Sequence, residues 1–416
     1  MKVAYYSPLP PSRSGVADYS ALLLPALEQH VDVVVARPGR LRRAPKADIA
    51  IYHVGNDPEA HGWIVEALRR RPADRPGVVV LHELVLHHLV AGTTLARGDA
   101  AGYLDALERE HGLPGRLLGY AVLDNRIPPL WETRPEEFPL AGTVLRAATA
   151  LVVHSRYVET GARTRGFSGP VFRIQHPAWP VPPHEGASIE GSPLVGCFGN
   201  LNASKRIPQL LSAFGRLRER RPGARLLLVG APAPRFDLDA IVARRVDLGS
   251  AVLREAYVDE QRLWSLMAAC DVCVNLRDPT MGETSGTAVR ALSLGKPLVV
   301  SDVGWFAELP DAVAIKVPVD EHEPTKLAAA LELLTDDPAL RESMSSASRR
   351  LAETEHALDR VAELYAAALE QAAGGANVRE AVLREVATAA AEVGIRRDDP
   401  ETAEIGRRLS EVGLGE

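Results

Sequence analysis

The sequence predicts an α/β protein built from two consecutive doubly wound, Rossmann-like domains facing each other across a cleft, with a helical C-terminal extension. Three observations predict it. Short apolar runs alternate with helical patterns along most of the chain, the signature of right-handed βαβ units on parallel sheets. At 416 residues the chain is too long for one hydrophobic core. Residues 179–193, rich in proline, glycine and small side chains, separate two such series.

In the first series, strands are expected at 3–7, 31–36, 47–54, 78–82, 150–154 and 171–176, with a helix over 21–29. The run Gly77-Val-Val-Val-Leu81 lacks polar alternation, as a strand buried on both faces does. The second series places strands at 194–198, 225–229, 251–257, 272–276, 297–301 and 314–317. Between its first two strands, Ile207, Leu210, Leu211, Phe214 and Leu217 recur on one helical stripe, and Pro208 suits the first turn. From about 323 the pattern is helical, including 358–372, and it closes on an Ala/Glu/Arg-rich stretch. The expected divisions are 1–183, a linker at 184–192, a second domain at 193–350, a helix returning to the first domain at 351–374, and the extension at 375–416. Ligands of such folds bind beyond the carboxyl ends of the strands, so the cleft is where chemistry is expected.

Composition narrows the function classes. The chain is 46% hydrophobic and 25% charged, an ordinary globular balance, and its net charge of −6 argues against nucleic acid, whose phosphates need a basic face. MKVAYYSPLPP carries one lysine before a strand and a proline turn and does not read as a signal peptide. No run approaches the roughly 18 apolar residues of a membrane span, so a cytoplasmic protein is expected. Cys197, Cys270 and Cys273 are too few for a disulfide framework. Cys270-Asp-Val-Cys273 matches CxxC, but Cys273 lies inside an apolar run, which favours the core.

The segment His82-Glu-Leu-Val-Leu-His87-His88 invites a zinc reading. The zinc motif needs histidines at i and i+4 on one helical face, whereas His82 and His87 are five apart, which turns them roughly 140° from each other. His82 instead sits at the carboxyl end of a strand. His87 and His88 are expected to cap or pack.

Three segments carry phosphate-binding chemistry. The first, Ser7-Pro-Leu-Pro-Pro-Ser-Arg-Ser14-Gly15-Val-Ala-Asp18, runs into a helix. Its glycine lets backbone N–H groups approach an anion at a helix amino terminus, although a plain turn is an equal reading. The second, Gly196 to Arg206, combines Gly199, Asn200 and the cations Lys205 and Arg206 ahead of a helix, which suits a diphosphate; surface lysine and arginine are the alternative. The third, Met281-Gly282-Glu283-Thr284-Ser285-Gly286-Thr287-Ala-Val-Arg290, follows a strand and opens a helix ending at Gly295. Glu283 can accept hydroxyl hydrogen bonds, and the amides of Thr284 to Gly286 can donate to a phosphate or sugar oxygen. An N-cap turn is the plainer alternative.

Taken in order, SPLPPSRSGVADYS, VVLHELVLHH, VVHSRYV, FGNLNASKRIPQLLSAF and GETSGTAVRALSLGKPLVVSDVGWFAELP resemble the retaining GT-B glycosyltransferases, the large bacterial family of cell-wall and polysaccharide enzymes. The likeness covers about residues 1 to 370. It implies an amino-terminal acceptor domain and a carboxyl-terminal domain holding a nucleotide sugar, UDP- or GDP-linked. It further implies that Gly15 lies beside the donor diphosphate, that Lys205 pairs with it, and that His82 faces the transferred sugar. His82, Lys205 and Glu283 are the expected catalytic residues. Gly15, Gly199, Asn200, Lys205, Arg206, Gly282, Glu283, Thr284, Ser285, Gly286, Thr287 and Arg290 are expected on the donor, and Ser14, Asp18, His82 and Glu83 on the acceptor side.

The chain departs from the family pattern in three places. Asn200 stands where an arginine is usual, and Gly282 and Arg290 where two glutamates eight apart are usual. Glu283, one step displaced, can substitute for the first; Arg290 cannot accept from ribose hydroxyls. The resemblance implies hexosyl transfer to a hydroxyl acceptor with retention, the acceptor being a polysaccharide, a lipid-linked or a small molecule. No metal or other cofactor is expected, because no Asp-x-Asp pair sits at a strand end in the second domain. A sugar-nucleotide epimerase, a phosphorylase-like enzyme or a non-catalytic nucleotide-sugar-binding protein on the same fold are the alternatives. For 375–416, packing on the protein is the default, with self-association or a membrane surface as further partners.

Overall fold

A computed structural model describes residues 1–39, 45–72, 75–234, 236–396 and 399–411, the side chains at 375–381, 384 and 411 excepted. Twelve strands form two all-parallel six-stranded sheets. The first contains β1 (Lys2–Tyr6), β2 (Asp32–Val35), β3 (Ile49–Val54), β4 (Gly77–Leu81), β5 (Ala150–Val153) and β6 (Val171–Arg173), in the order β2-β1-β3-β4-β5-β6. The second contains β7 (Leu194–Phe198), β8 (Arg225–Val229), β9 (Val252–Glu255), β10 (Val272–Asn275), β11 (Leu298–Ser301) and β12 (Ala314–Val317), in the order β12-β11-β10-β7-β8-β9. Every expected strand is present. β6 and β9 are shorter than expected: after Arg173 and Glu255 the chain leaves the sheet.

Helices cover both faces of each sheet, so the central strands β4 and β7 are buried at every residue and read as unbroken apolar runs. The first helix spans Gly15–Leu27, six residues ahead of the expected start. Ser14 Oγ accepts the Val16 N–H at 3.2 Å and so caps it. Between β4 and β5 lies an insertion for which the sequence pattern assigned no elements, dominated by the helix Ala100–Leu123. Gly112 breaks that helix ahead of Pro114, with φ 64° and ψ −160°. The insertion packs on its own small core of Ala91, Tyr103, Leu107, Val122, Leu130, Phe138 and Leu140. His87 anchors it, with Nδ1 on Phe138 O at 2.6 Å and Nε2 on Tyr103 Oη at 2.9 Å. The three cysteines are buried and unpaired in disulfides.

Two expected boundaries move. The first crossing lies near 176–178 rather than 184–192, because Ala178 and Trp179 already belong to the second domain's core, with Ala187 and Ile189 packed against it. A division at 350 would cut the helix Pro338–Thr354, whose Ala347 and Ala352 pack in that same core. The second crossing falls at 355–357, and the two crossing segments bind each other: Ala178 N–H donates to His356 O at 2.7 Å, and His356 Nδ1 lies 2.6 Å from His176 O.

The helix Leu358–Glu392 then lies on the first domain. Val361, Ala362, Tyr365 and Leu369 enter its core beside Tyr19, Leu23 and Leu27, and the Tyr19 and Tyr365 hydroxyls meet at 2.6 Å. Each fully buried aliphatic side chain contributes about 1.5–3 kcal/mol. The helix continues unbroken past 374, so the extension is not a separate element at its start. Among the described residues no helix is long and apolar enough to cross a membrane.

Candidate functional site

The turn after β7 builds the second domain's half of the cleft. Gly199 has φ +96°, and a Cβ on the neighbouring Gly230 would fall 2.1 Å from Gly199 O, so the ends of β7 and β8 approach at backbone distance. Lys205 folds back beneath this turn. Only 3% exposed, its Nζ donates to Phe198 O at 2.7 Å and to Asn275 Oδ1 at 3.3 Å. Burial, and then the nearby Arg277 guanidinium, push its ammonium down to about 8. At pH 7 the charged form still prevails by about ten to one.

From Lys205 a polar chain leads to a helix amino terminus. Asn275 Nδ2 donates to Ser285 Oγ at 2.8 Å and to Thr287 Oγ1 at 3.0 Å. Ser285 Oγ in turn accepts the Ala288 N–H at 3.3 Å, capping the helix Gly286–Ser293. Thr284 Oγ1 is buried with no hydrogen-bond partner, an orphan that a ligand oxygen would satisfy.

Glu283 is held on three sides. Its Oε1 lies 2.7 Å from Arg277 Nε, while Oε2 accepts from Met281 N–H at 2.8 Å and Thr280 Oγ1 at 3.2 Å. Beside it, Gly282 has φ +80°, and a Cβ there would sit 3.1 Å from both Leu84 and Tyr157. Gly282 is therefore also a domain contact, packed against the first domain where a side chain would not fit. The N–H groups of Leu84 and Val85 donate to Met281 O at 2.9 and 3.0 Å. Farther along, the Glu308 carboxylate of the second domain accepts the first two N–H groups of the helix Arg156–Thr164, at 2.9 Å from Arg156 and 2.7 Å from Tyr157. A carboxylate at a helix amino terminus is favoured by the exposed N–H groups and by the helix dipole.

Two further residues expected at the site have partners within the protein. The Arg206 guanidinium turns away from Lys205 to Glu323 and to Asp278 at 2.8 Å, so two carboxylates neutralise the cation expected on the donor. Ser14, expected on the acceptor side, caps the first helix by accepting the Val16 N–H, which leaves its own O–H free to donate. Asn200 is exposed.

The first domain contributes a cluster of imidazoles. His53 Nδ1 lies 3.0 Å from His82 Nε2, and the Tyr19 ring packs edge-on against His82 and His176 at 4.8 Å, with His154 at 5.4 Å. Burial, reinforced by the neighbouring imidazoles, holds His82, His53 and His176 well below the usual range and His154 at about 4. His82 is therefore neutral at pH 7. It can exchange hydrogen bonds with a hydroxyl, but it brings no charge to a phosphate. Next to it, Glu83 Oε1 accepts the Asn56 N–H at 2.8 Å, and burial followed by repulsion from Glu283 pushes its carboxyl up to about 8.

A third contact joins the domains at the back of the cleft. Arg290, 7% exposed, stacks on the Trp179 ring at 3.7 Å and lies 4.0 Å from Asp18 and 3.8 Å from Glu260. Gly286 lets the ring in, since a Cβ there would be 3.3 Å from Trp179. Gly15 heads the first helix with nothing within 4 Å of where a Cβ would project.

The structure thus gathers Gly199, Lys205, Glu283, Ser285 and Thr287 into one connected set, brings Glu83 close to Glu283 across the interface, and joins Gly286, Arg290 and Asp18 in another. Asn275 and Arg277 escaped the sequence reading. The signal was a polar residue inside the run Val272-Cys-Val-Asn-Leu276, with a cation two places on.

Residues 192–337 match the sequence profile of the family Glycosyl transferases group 1. Among curated proteins the chain is 28% identical over 304 residues to the D-inositol 3-phosphate glycosyltransferase of Jonesia denitrificans, covering 71% of this chain and 66% of that protein. It is 24% identical over 182 residues to the alpha-D-kanosaminyltransferase of Streptomyces kanamyceticus, covering 42% of this chain and 46% of that protein. In neither case does the match reach two thirds of the relative's length. Among solved structures, sucrose-phosphate synthase of Thermosynechococcus elongatus superposes with a TM-score of 0.62 at 18% identity, covering 89% of this chain and 98% of that one. HepE of Anabaena, solved with UDP, gives 0.57 at 17% identity over 89% of this chain and 100% of that one.

Proposed function

We propose, from the premise that this chain has the GT-B fold and that its residues 192–337 match the Glycosyl transferases group 1 family, that it transfers a hexosyl group from a nucleotide sugar to a hydroxyl acceptor. The observation that carries this reading is the buried, cationic Lys205, wired through Asn275 to Ser285 and Thr287 at a helix amino terminus on the cleft edge of the second sheet. Such a site offers a diphosphate what it needs: positive charge, N–H donors and little competing water. The Anabaena relative's capture with UDP and glucose supports a nucleotide-sugar donor.

In this reading the second domain stabilises the departing diphosphate through Lys205 and the amides of Thr284 to Gly286. A well-placed donor of this kind is worth about 3–4 kcal/mol of barrier. The neutral His82 and the protonated Glu83 address sugar or acceptor hydroxyls. Retention, with reaction on one face of the sugar and the leaving phosphate taking the acceptor proton, is the course that the family resemblance implies, and the raised Glu83 carboxyl would serve poorly as a nucleophile in a double displacement. Arg290, which cannot accept from ribose hydroxyls, is proposed to bind the donor through its stacked guanidinium.

A thermal-shift screen against nucleoside diphosphates and their sugars tests the reading, because a ligand that binds only the folded state raises the melting temperature with its affinity. One base should stand out, and its diphosphate should exceed its monophosphate. No shift with any nucleotide at millimolar concentration would remove the proposal. A shift without transfer to any acceptor would instead favour a nucleotide-sugar-binding protein.

A further inference from the structure

The turn following β10 holds a second buried cation beside Lys205. Arg277 is 8% exposed. Leu276 is fully buried in the core behind the sheet, so Asn275 and Arg277, on either side of it along extended chain, project to the opposite face, the one Lys205 occupies. Two hydrogen bonds lock this geometry: Arg277 N–H donates to Ser301 Oγ at 2.8 Å, and Asp278 N–H to Ser204 O at 2.9 Å. The guanidinium itself reaches Ser204, the residue before Lys205, with Nη1 donating to its Oγ at 3.3 Å.

Its partners do not satisfy it. Glu283 Oε1 lies 2.7 Å from Nε, yet the Nε–H is buried with no aligned acceptor. Charge is unbalanced too: Lys205 and Arg277 face Glu283 while burial raises the Glu83 carboxyl, and the Lys205 ammonium is lowered first by its burial and then by the neighbouring Arg277. Asn200, at the position where the family resemblance expects an arginine, is exposed and uncharged, and Arg206 is neutralised elsewhere.

We infer that Arg277 is the second diphosphate-binding cation of this chain, gripping with Lys205 the phosphate distal to the nucleoside. The inference rests on the proposed nucleotide-sugar site and specifies it: the pair of cations comes from the β7 turn and the β10 end, not from two residues of one loop. A guanidinium there can engage two phosphate oxygens at once, which an ammonium cannot. Its ion pair with Glu283 would couple diphosphate binding to the position of that carboxylate.

The test is titration calorimetry of the full chain with the preferred nucleoside diphosphate and the matching monophosphate, for the parent, Arg277→Gln and Arg277→Lys. Arg277→Gln should weaken the diphosphate at least tenfold and the monophosphate less than threefold, collapsing the ratio between them; Arg277→Lys should retain part of that ratio. A residue that merely props Glu283 would leave the ratio unchanged, and an unchanged ratio in either variant overturns the inference. If Arg277→Gln does not fold, the lysine variant decides. Should the parent discriminate diphosphate from monophosphate and both variants do so equally, only this inference falls; should the parent bind no nucleotide, the proposed function falls with it.

Discussion

Replacing Lys205 by alanine should cost catalysis more than stability, and the structure sets both magnitudes. The fall of its ammonium from the usual 10.5 to about 8 means that burying the charge costs about 3 kcal/mol, relieved on substitution. Against that relief stand the two hydrogen bonds to Phe198 O and Asn275 Oδ1, each from a charged donor and worth about 1.5–3 kcal/mol. The terms oppose and partly cancel, so Lys205→Ala should lower unfolding stability by no more than about 3 kcal/mol. Transition-state stabilisation has no such offset. Losing one donor to the departing diphosphate removes about 3–4 kcal/mol, roughly a hundred- to a thousandfold in kcat. The assay is nucleoside diphosphate release at saturating donor, beside denaturant unfolding of the same variant. Unchanged kcat in a folded Lys205→Ala protein would refute the assignment, whatever happens to KM.

Two further predictions follow from the interface. Glu308→Ala leaves the N–H groups of Arg156 and Tyr157 without their carboxylate; it should lower the melting temperature by a few degrees and increase the radius of gyration in solution scattering as the domains part, and an unchanged radius would exclude a clamping role. Glu83 has a carboxyl raised to about 8 in the folded chain against about 4.3 unfolded. The stability this proton contributes is complete below about 4.3 and is lost as pH rises through about 8. Glu83→Gln should therefore gain stability relative to the parent at pH 9 and gain little at pH 4, and equal curves for the two proteins from pH 6 to 9 would show that the carboxyl is not perturbed.

Much of this molecule was legible in the chain itself. Twelve strands, though not their order within the sheets, follow from apolar runs such as Gly77–Leu81 and Leu194–Phe198, because a strand covered on both faces must be apolar throughout. Lys205, Glu283, Ser285 and Thr287 were identifiable for a related reason: parallel sheets bring every strand's carboxyl end to one edge, so polar turns there share a cleft whatever their separation in sequence. What the sequence could not decide was partnership. Lys205 and Arg206 are adjacent cations, yet one is buried toward the cleft and the other is neutralised by Glu323, 117 residues away. Gly282 and Trp179 read as a ligand turn and part of the first domain until packing made the one a domain contact and the other a platform for Arg290. Periodicity records which faces are buried, since burial is a property of each residue's own side chain. Which charge meets which is set by distances between remote segments, and these exist only once the two sheets and the returning helix have packed.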